Sequence, residues 1–349
     1  SDFGTKQFDF SFSNNKDLYY ESYMTSTNKF FLQYRKFLDQ AGNKPFFMWV
    51  GFIDPHRPYK EPQTKNVHQP DQVVLPPTFV DGPGSREDIV DYYNEIHRLD
   101  QHVGFMLAEL ERRGVSDNTV VIFLSDNGMP FQRAKGFLYD SGTRIPLIVS
   151  WPGVTKEGAK HNNGLVSGVD MAPTLLDIAG IPVPETMYGK SFLPLIKDPA
   201  ARGNEAIFTE RNWHNTEEYC RSIRTEKYKL IYNGFPNTLA AIIADMRQSP
   251  AWYELLDGKR AGTLNPAQSQ LFQFPRPTVE LYDVVNDPYE LNNLAGKAEY
   301  LKTAMSLMKQ LLDWQKATKD TKPGDRLKED DTDRMSGFPI GGALLKNVE

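Results

Sequence analysis

Residues Thr119 to Leu124 are all β-branched or apolar, and they run straight into Ser125-Asp126-Asn127-Gly128. A short run with no polar face reads as a buried strand. It delivers a carboxylate and an amide to its C-terminal end, the place where open α/β sheets gather ligands. Ile145 to Ser150 reads as a second strand of this kind, and Pro45 to Phe52 as a third, ended by Asp54-Pro55-His56. Between them, Ile89, Tyr93, Ile96, Leu99, Val103, Met106 and Leu110 recur every three or four residues, one stripe of a helix from about Arg86 to Arg113 that Gly114 stops. Asp170 to Ala179 reads as a short helix closed by Gly180. The alternation predicts an α/β fold, a large mixed sheet covered by helices on both faces.

After about residue 217 the pattern changes. Arg221 to Arg224 and Lys227 to Asn233 alternate about a short turn, the mark of an antiparallel hairpin. Glu280 to Asp283 reads as a further strand of that sheet, and Tyr300, Ala304, Leu307, Met308, Leu311 and Trp314 line a late helix. Three parts are therefore expected: a main α/β region over 1–217, a smaller C-terminal α+β subdomain with an antiparallel sheet over 218–317, and a tail over 318–349. From Thr318 to Arg334 that tail is rich in charge and poor in apolar residues, so it is expected to be loose or to wrap the surface.

The charges exclude little except nucleic acid: 40 Lys and Arg against 45 Asp and Glu leave −5, with no basic stripe. No run of about 18 apolar residues is available to span a membrane. Cys220 is the single cysteine and no Asn-x-Ser/Thr site occurs, which leans towards a bacterial source, periplasmic or secreted, with the lysosome the eukaryotic equivalent.

Asp126 and Asn127 would offer two hard oxygens to Ca²⁺ or Mg²⁺, against the plainer reading of Asn127-Gly128 as a tight turn. His56, just past a strand end, is placed to protonate a leaving group or simply to cap a loop. Lys135 could neutralise an oxyanion, although most lysines are merely solvated. Arg144 is expected to anchor structure.

Taken in order, the Asp54-Pro55-His56 turn, the long helix with Tyr92-Tyr93 and Leu99-Asp100-Gln101, and Ser125-Asp126-Asn127-Gly128 resemble the sulfatases of the alkaline-phosphatase superfamily. So do Gly142-Thr143-Arg144-Ile145-Pro146, Asp170-Met171-Ala172-Pro173-Thr174 and Leu281-Tyr282-Asp283 with Asn286-Asp287-Pro288. Phe8-Asp9-Phe10, Asn127-Gly128-Met129-Pro130-Phe131, Ser249-Pro250 and Trp314-Gln315 are similar to the N-sulfoglucosamine sulfohydrolase branch.

The resemblance implies an alkaline-phosphatase-like fold and one Ca²⁺ held partly by Asp126 and Asn127. It implies Lys135 on the sulfate oxygens, His56 assisting departure of the leaving group, and His214 in a substrate-binding loop. The substrate it implies is a sulfated oligosaccharide, N-sulfoglucosamine of heparan or heparin above all. Its nucleophile is a formylglycine made from the Cys or Ser of C/S-x-P-x-R, a motif these residues do not contain; Cys220 is followed by Arg221-Ser222. The family's first metal-binding Asp pair is also missing, so an N-terminal truncation and an inactive fragment are expected. The rival expectations are an O-sulfatase, a two-metal phosphatase or phosphodiesterase of the same superfamily, and a non-catalytic glycan-binding relic. A homodimer is compatible with each.

Overall fold

The computed structural model describes residues 27–59, 68–161, 164–198 and 200–322. The readings at Phe8-Asp9-Phe10 and beyond Lys322 lie outside these residues. The chain divides into two compact units, Ser1–Val73 with Arg86–Thr119, and Val74–Ser85 with Val120–Glu349.

In the first unit, α1 (Thr27–Ala41) is followed by most of α2 (Pro83–Arg112). Ile89, Leu99 and Leu110 of the expected stripe are buried, but Ile96 is exposed. Polar side chains take its place: Asp88, Asn94, Glu95, Arg98 and Glu109 are all buried. The reason lies in Arg98, which donates from Nε and Nη2 to both carboxylate oxygens of Asp54 at 2.7 and 2.6 Å and also pairs with Glu95. A buried charge persists only when it is answered, so the helix face turns to satisfy these groups. Segment 45–52 corrects the sequence reading. It forms no strand among the described residues, and Phe47 and Trp49 are 54% and 69% exposed. An apolar run becomes a strand only when a neighbouring backbone takes its hydrogen bonds, and no described strand pairs with it.

In the second unit, β1 (Val121–Leu124) and β2 (Leu147–Ser150) pair antiparallel, with Ile122 opposite Val149 and Leu124 opposite Leu147. Because side chains alternate across a strand, these four point to one face. There they pack on α3 (Met171–Ile178) and on Phe192, Leu193 and Ile196 of the following helical turn. Asp170 ties this layer together: its carboxylate accepts from the backbone N–H of Ser167 and Lys190 and from the Asn204 amide.

Four strands, β3 (Ala206–His214), β4 (Thr216–Thr225), β5 (Tyr228–Asn233) and β6 (Val279–Asp283), form an antiparallel meander in sequence order. The expected hairpin is β4–β5, with Ile223 opposite Leu230. Between β5 and β6 lies α4 (Pro250–Ala261), begun by the buried N-cap Ser249, whose hydroxyl accepts from Trp252 N–H, and closed by Gly262 at φ 68°. Then α5 (Leu301–Thr318) lays Leu307 and Leu311 on Ile223, Leu230 and Leu281, flanked by Tyr300, Ala304, Met308 and Trp314. Every residue of the sequence-read stripe is on that face.

The chain just past α5 is not loose as far as it is described. Asp320 accepts from Arg221 Nε and Nη2 at 2.7 Å each, and from Tyr219 and Gln315. Arg221 is fully buried, and the pairing holds the Asp320 carboxyl down at about 2. Composition marks this stretch as solvated; at Asp320 one buried guanidinium in the sheet overrides it.

Candidate active site

The loop between β1 and β2 is wound so that its own backbone fills it. Gly128 N–H donates to Gly142 O at 3.0 Å, and a methyl group on Gly128 would overlap the carbonyl oxygen of Ser141. A methyl on Gly142 would overlap the Ala134 carbonyl. Only glycine permits such backbone contact. Lys135 N–H in turn donates to Met129 O at 3.0 Å, so Lys135 is strapped to the residue after Gly128.

Beneath the loop lies a charged anchor. The ammonium of Lys229, fully buried, meets Asp140 at 2.5 Å and Glu290 at 3.4 Å and donates to the Leu138 carbonyl. Burial opposes ionisation of Asp140, but Lys229 and Arg224 still hold its carboxyl below the usual range, whereas burial raises that of Glu290.

Asp126 and Asn127 follow β1 directly, as read from the sequence. Asp126 is exposed, and its Oδ1 accepts from Asn127 N–H at 2.8 Å. The Asn127 amide donates to Gly128 O at 2.7 Å. Asp126 Oδ2 and Asn127 Oδ1 accept no hydrogen bond from the described residues. The backbone turns here, as the plainer reading expects, and two hard oxygens are left over. Among the described residues no group of three or more His, Cys, Asp or Glu is disposed to hold a metal. The pair by itself fits one side of a shell that for Ca²⁺ takes 6–8 oxygens.

Lys135 is mostly buried, and its Nζ meets Asp245 Oδ2 at 2.6 Å. Asp245 is held on a helical turn (Ala244–Arg247) between Ile243 and Met246, both with no exposed surface. His214 stands at the β3–β4 corner, where Asn215 adopts φ 61°. Asn215 Oδ1 accepts from Ala244 N–H at 2.8 Å and lies 3.0 Å from His214 Nδ1. An oxygen that accepts from an amide is the acceptor for the imidazole too, so Nδ1 carries the hydrogen. His214, Asn215, Asp245 and Lys135 are thereby joined in one chain of contacts. Asp245 was invisible to the sequence reading, since nothing in Ala244-Asp245-Met246-Arg247 distinguishes it from any acidic helical turn.

His56 belongs to the first unit and is exposed; its Nδ1 donates to Arg57 O at 2.5 Å. The turn that carries it is clamped on both sides, by Asp54–Arg98 and by Arg57–Asp88 at 2.6 Å. Arg144, expected to anchor structure, is exposed; its backbone N–H donates to Asp140 O at 2.8 Å, and its guanidinium forms no hydrogen bond or ion pair with the described residues. Cys220 is buried in β4 with its thiol pushed up to about 12 by burial, which makes it inert as a nucleophile.

The family model for sulfatases matches residues 2–181, more than half of the chain. The chain belongs to the sulfatase family. A second model, for the C-terminal part of N-sulphoglucosamine sulphohydrolase, matches residues 131–260 of this sulfatase. It is 32% identical to N-sulphoglucosamine sulphohydrolase of Homo sapiens over 82% of this chain and 63% of that protein. It is also 35% identical to an ulvan-active sulfatase of Formosa agariphila over 70% of this chain and 41% of that one. The chain therefore spans about half the length of these curated relatives. A solved structure from work on the metabolism of multiple glycosaminoglycans by Bacteroides thetaiotaomicron is similar in fold, with TM-score 0.55 and 22% identity over 82% of this chain and 60% of that one. The α/β class expected of the sequence is the class of these sulfatases. Among the described residues no helix is long and apolar enough to cross a membrane.

Proposed function

We infer that this chain is part of a sulfatase that hydrolyses sulfamate or sulfate-ester groups on glycosaminoglycan sugars, with N-sulfoglucosamine of heparan or heparin as the favoured substrate. The observation that carries the reading is the loop itself: Asp126 and Asn127 present two uncommitted oxygens on the same backbone-packed segment that holds Lys135. The likeness of residues 131–260 to the C-terminal part of N-sulphoglucosamine sulphohydrolase supports the choice of sugar.

In this reading Asp126 and Asn127 hold calcium, which when bound supplies positive charge that polarises the sulfate. Lys135 offers Nζ to the sulfate oxygens, sharing its charge between them and Asp245. His56, whose Nδ1 is committed to the Arg57 carbonyl, keeps the role that the family resemblance gives it, a proton donor to the departing amine or hydroxyl. His214, fixed in tautomer by Asn215, contacts the sugar. The nucleophile required is a formylglycine, which these 349 residues do not encode. A soluble periplasmic, secreted or lysosomal setting fits such a substrate.

The test is sulfate release by protein expressed from its complete gene, on defined saccharides bearing N-sulfated or 6-O-sulfated glucosamine. Release from the N-sulfated sugar is expected, and Asp126→Asn and Lys135→Ala should each lower it about a hundredfold or more. Release from O-sulfated sugars alone would end the N-sulfatase assignment. The second reading, an O-sulfatase of another sulfated glycan, is favoured by the likeness to the ulvan-active enzyme.

A further inference from the structure

Within the second unit, behind the Lys135-Gly136 segment, lies a cavity of about 220 Å³, whose wall includes Arg133, Arg211, Arg276, Glu280 and Tyr282. That is room for about seven waters at liquid density. Its charges are unevenly answered. Glu280 is saturated, since Oε2 accepts from Tyr139 and Tyr282 at 2.9 and 2.5 Å, and Oε1 from Asn233 at 2.6 Å. Arg276 is paired with Glu218 through Nη1 and Nη2 at 3.3 and 3.2 Å, yet its Nε is buried without an acceptor. Arg133 lies 3.7 Å over the Tyr139 ring and donates to Glu290 O at 2.7 Å.

Arg211 is the exception. It is 7% exposed, has no carboxylate within 4 Å among the described residues, and leaves Nε buried without an acceptor. Among the described residues it makes a 3.3 Å donation to Ala241 O and has a Phe137 ring 5.6 Å away. Burial lowers its proton affinity, and Glu218, which is already paired with Arg276, offsets this only in part. Taking a guanidinium out of water costs several kcal/mol unless a negative partner offsets it. An aromatic face and one long carbonyl contact are weak substitutes. Apolar neighbours such as Leu271 and Ile231 further limit what waters can contribute.

We propose that this cavity is a binding site for a small inorganic oxyanion of the sulfate class, received by Arg211 with Arg276 beside it. A tetrahedral anion brings the missing charge, accepts from the terminal N–H groups of the Arg211 guanidinium, and fits that planar fork better than water does. The site is separate from Lys135 and does not rest on the catalytic reading.

The experiment is calorimetric titration of the purified protein with inorganic sulfate at constant ionic strength, repeated on Arg211→Met, Arg211→Lys and Lys135→Ala. A saturable site is expected that Lys135→Ala leaves unchanged. Arg211→Met should weaken it about ten- to a hundredfold, and Arg211→Lys less, since it keeps the charge but loses the fork. No saturable binding, or binding that survives Arg211→Met, overturns the proposal. Binding lost in Lys135→Ala but kept in Arg211→Met places the ion at the candidate active site and overturns only the cavity assignment. Should Arg211→Met fail to fold by circular dichroism, crystals of the unmodified protein soaked in selenate decide: an anomalous peak beside Arg211 supports the site, and a cavity holding water alone refutes it.

Discussion

The β3–β6 sheet with α5, and the loop between β1 and β2, are built on opposite principles although they share a unit. The sheet is held by an apolar layer of Ile223, Leu230, Leu281, Leu307 and Leu311, in which each side chain contributes separately. The loop is held by backbone packed on backbone at Gly128 and Gly142, and by one buried ammonium, Lys229, serving Asp140 and Glu290 together. The first kind of order is additive and tolerant of repacking. The second depends on a few groups that fail jointly.

The contrast predicts a ranking of effects. Lys229→Met, which leaves the buried Glu290 without a cation and Asp140 with Arg224 alone, should cost about 3–5 kcal/mol in chemical denaturation. Leu311→Ala, a cavity in the sheet's apolar layer, should cost about 3 kcal/mol; if it exceeds Lys229→Met, the supposed fragility of the loop is wrong. An acid scan comes next. The Asp320 carboxyl sits at about 2 when folded, below its ordinary 3.8, so its pairing stabilises fully above about pH 4 and is lost as pH falls towards 2. Thermal melts between pH 5 and 2.5 should show about 1 kcal/mol of this loss in the parent once solvent screening is allowed for, and a flatter profile in Asp320→Asn. An effect of similar size sharpens the comparison: a double-mutant cycle of Lys229→Met with Glu290→Gln should show coupling of at least about 1 kcal/mol. Leu311→Ala combined with a distant Met171→Ala should be additive. The smallest effect is expected of the exposed Arg144→Ala, within about 0.5 kcal/mol of the parent by denaturation.

The same contrast explains what could be read from the residues alone. Apolar periodicity carries information about surfaces that must be hidden, so the face of α5, the β4–β5 hairpin and the strand before Asp126 were all legible. Ion pairs leave no period. The Asp54–Arg98 clamp, the Lys135–Asp245 contact 110 residues apart and the Asp320–Arg221 pair close over sequence distances that no local pattern encodes. Segment 45–52 failed for a related reason, because apolarity marks a wish to be covered and says nothing about which strand does the covering. Asp126, Asn127, Lys135 and His214 were singled out by their order along the chain. The partners that orient Lys135 and His214 were not.

The close fit of Gly128 against Ser141 bears on how such a protein diversifies. A stretch whose interior is already filled by main chain has no room for insertions or bulkier side chains, so natural variation is steered elsewhere. The neighbouring 237–247 segment, which hangs from the Asn215 amide and brings Asp245 to the lysine, is itself pinned by the buried Ile243 and Met246, so only its exposed positions such as Leu239 can change at little expense to the fold. Variation is therefore expected to accumulate at such exposed positions, while the segment from 128 to 142 stays constant in length.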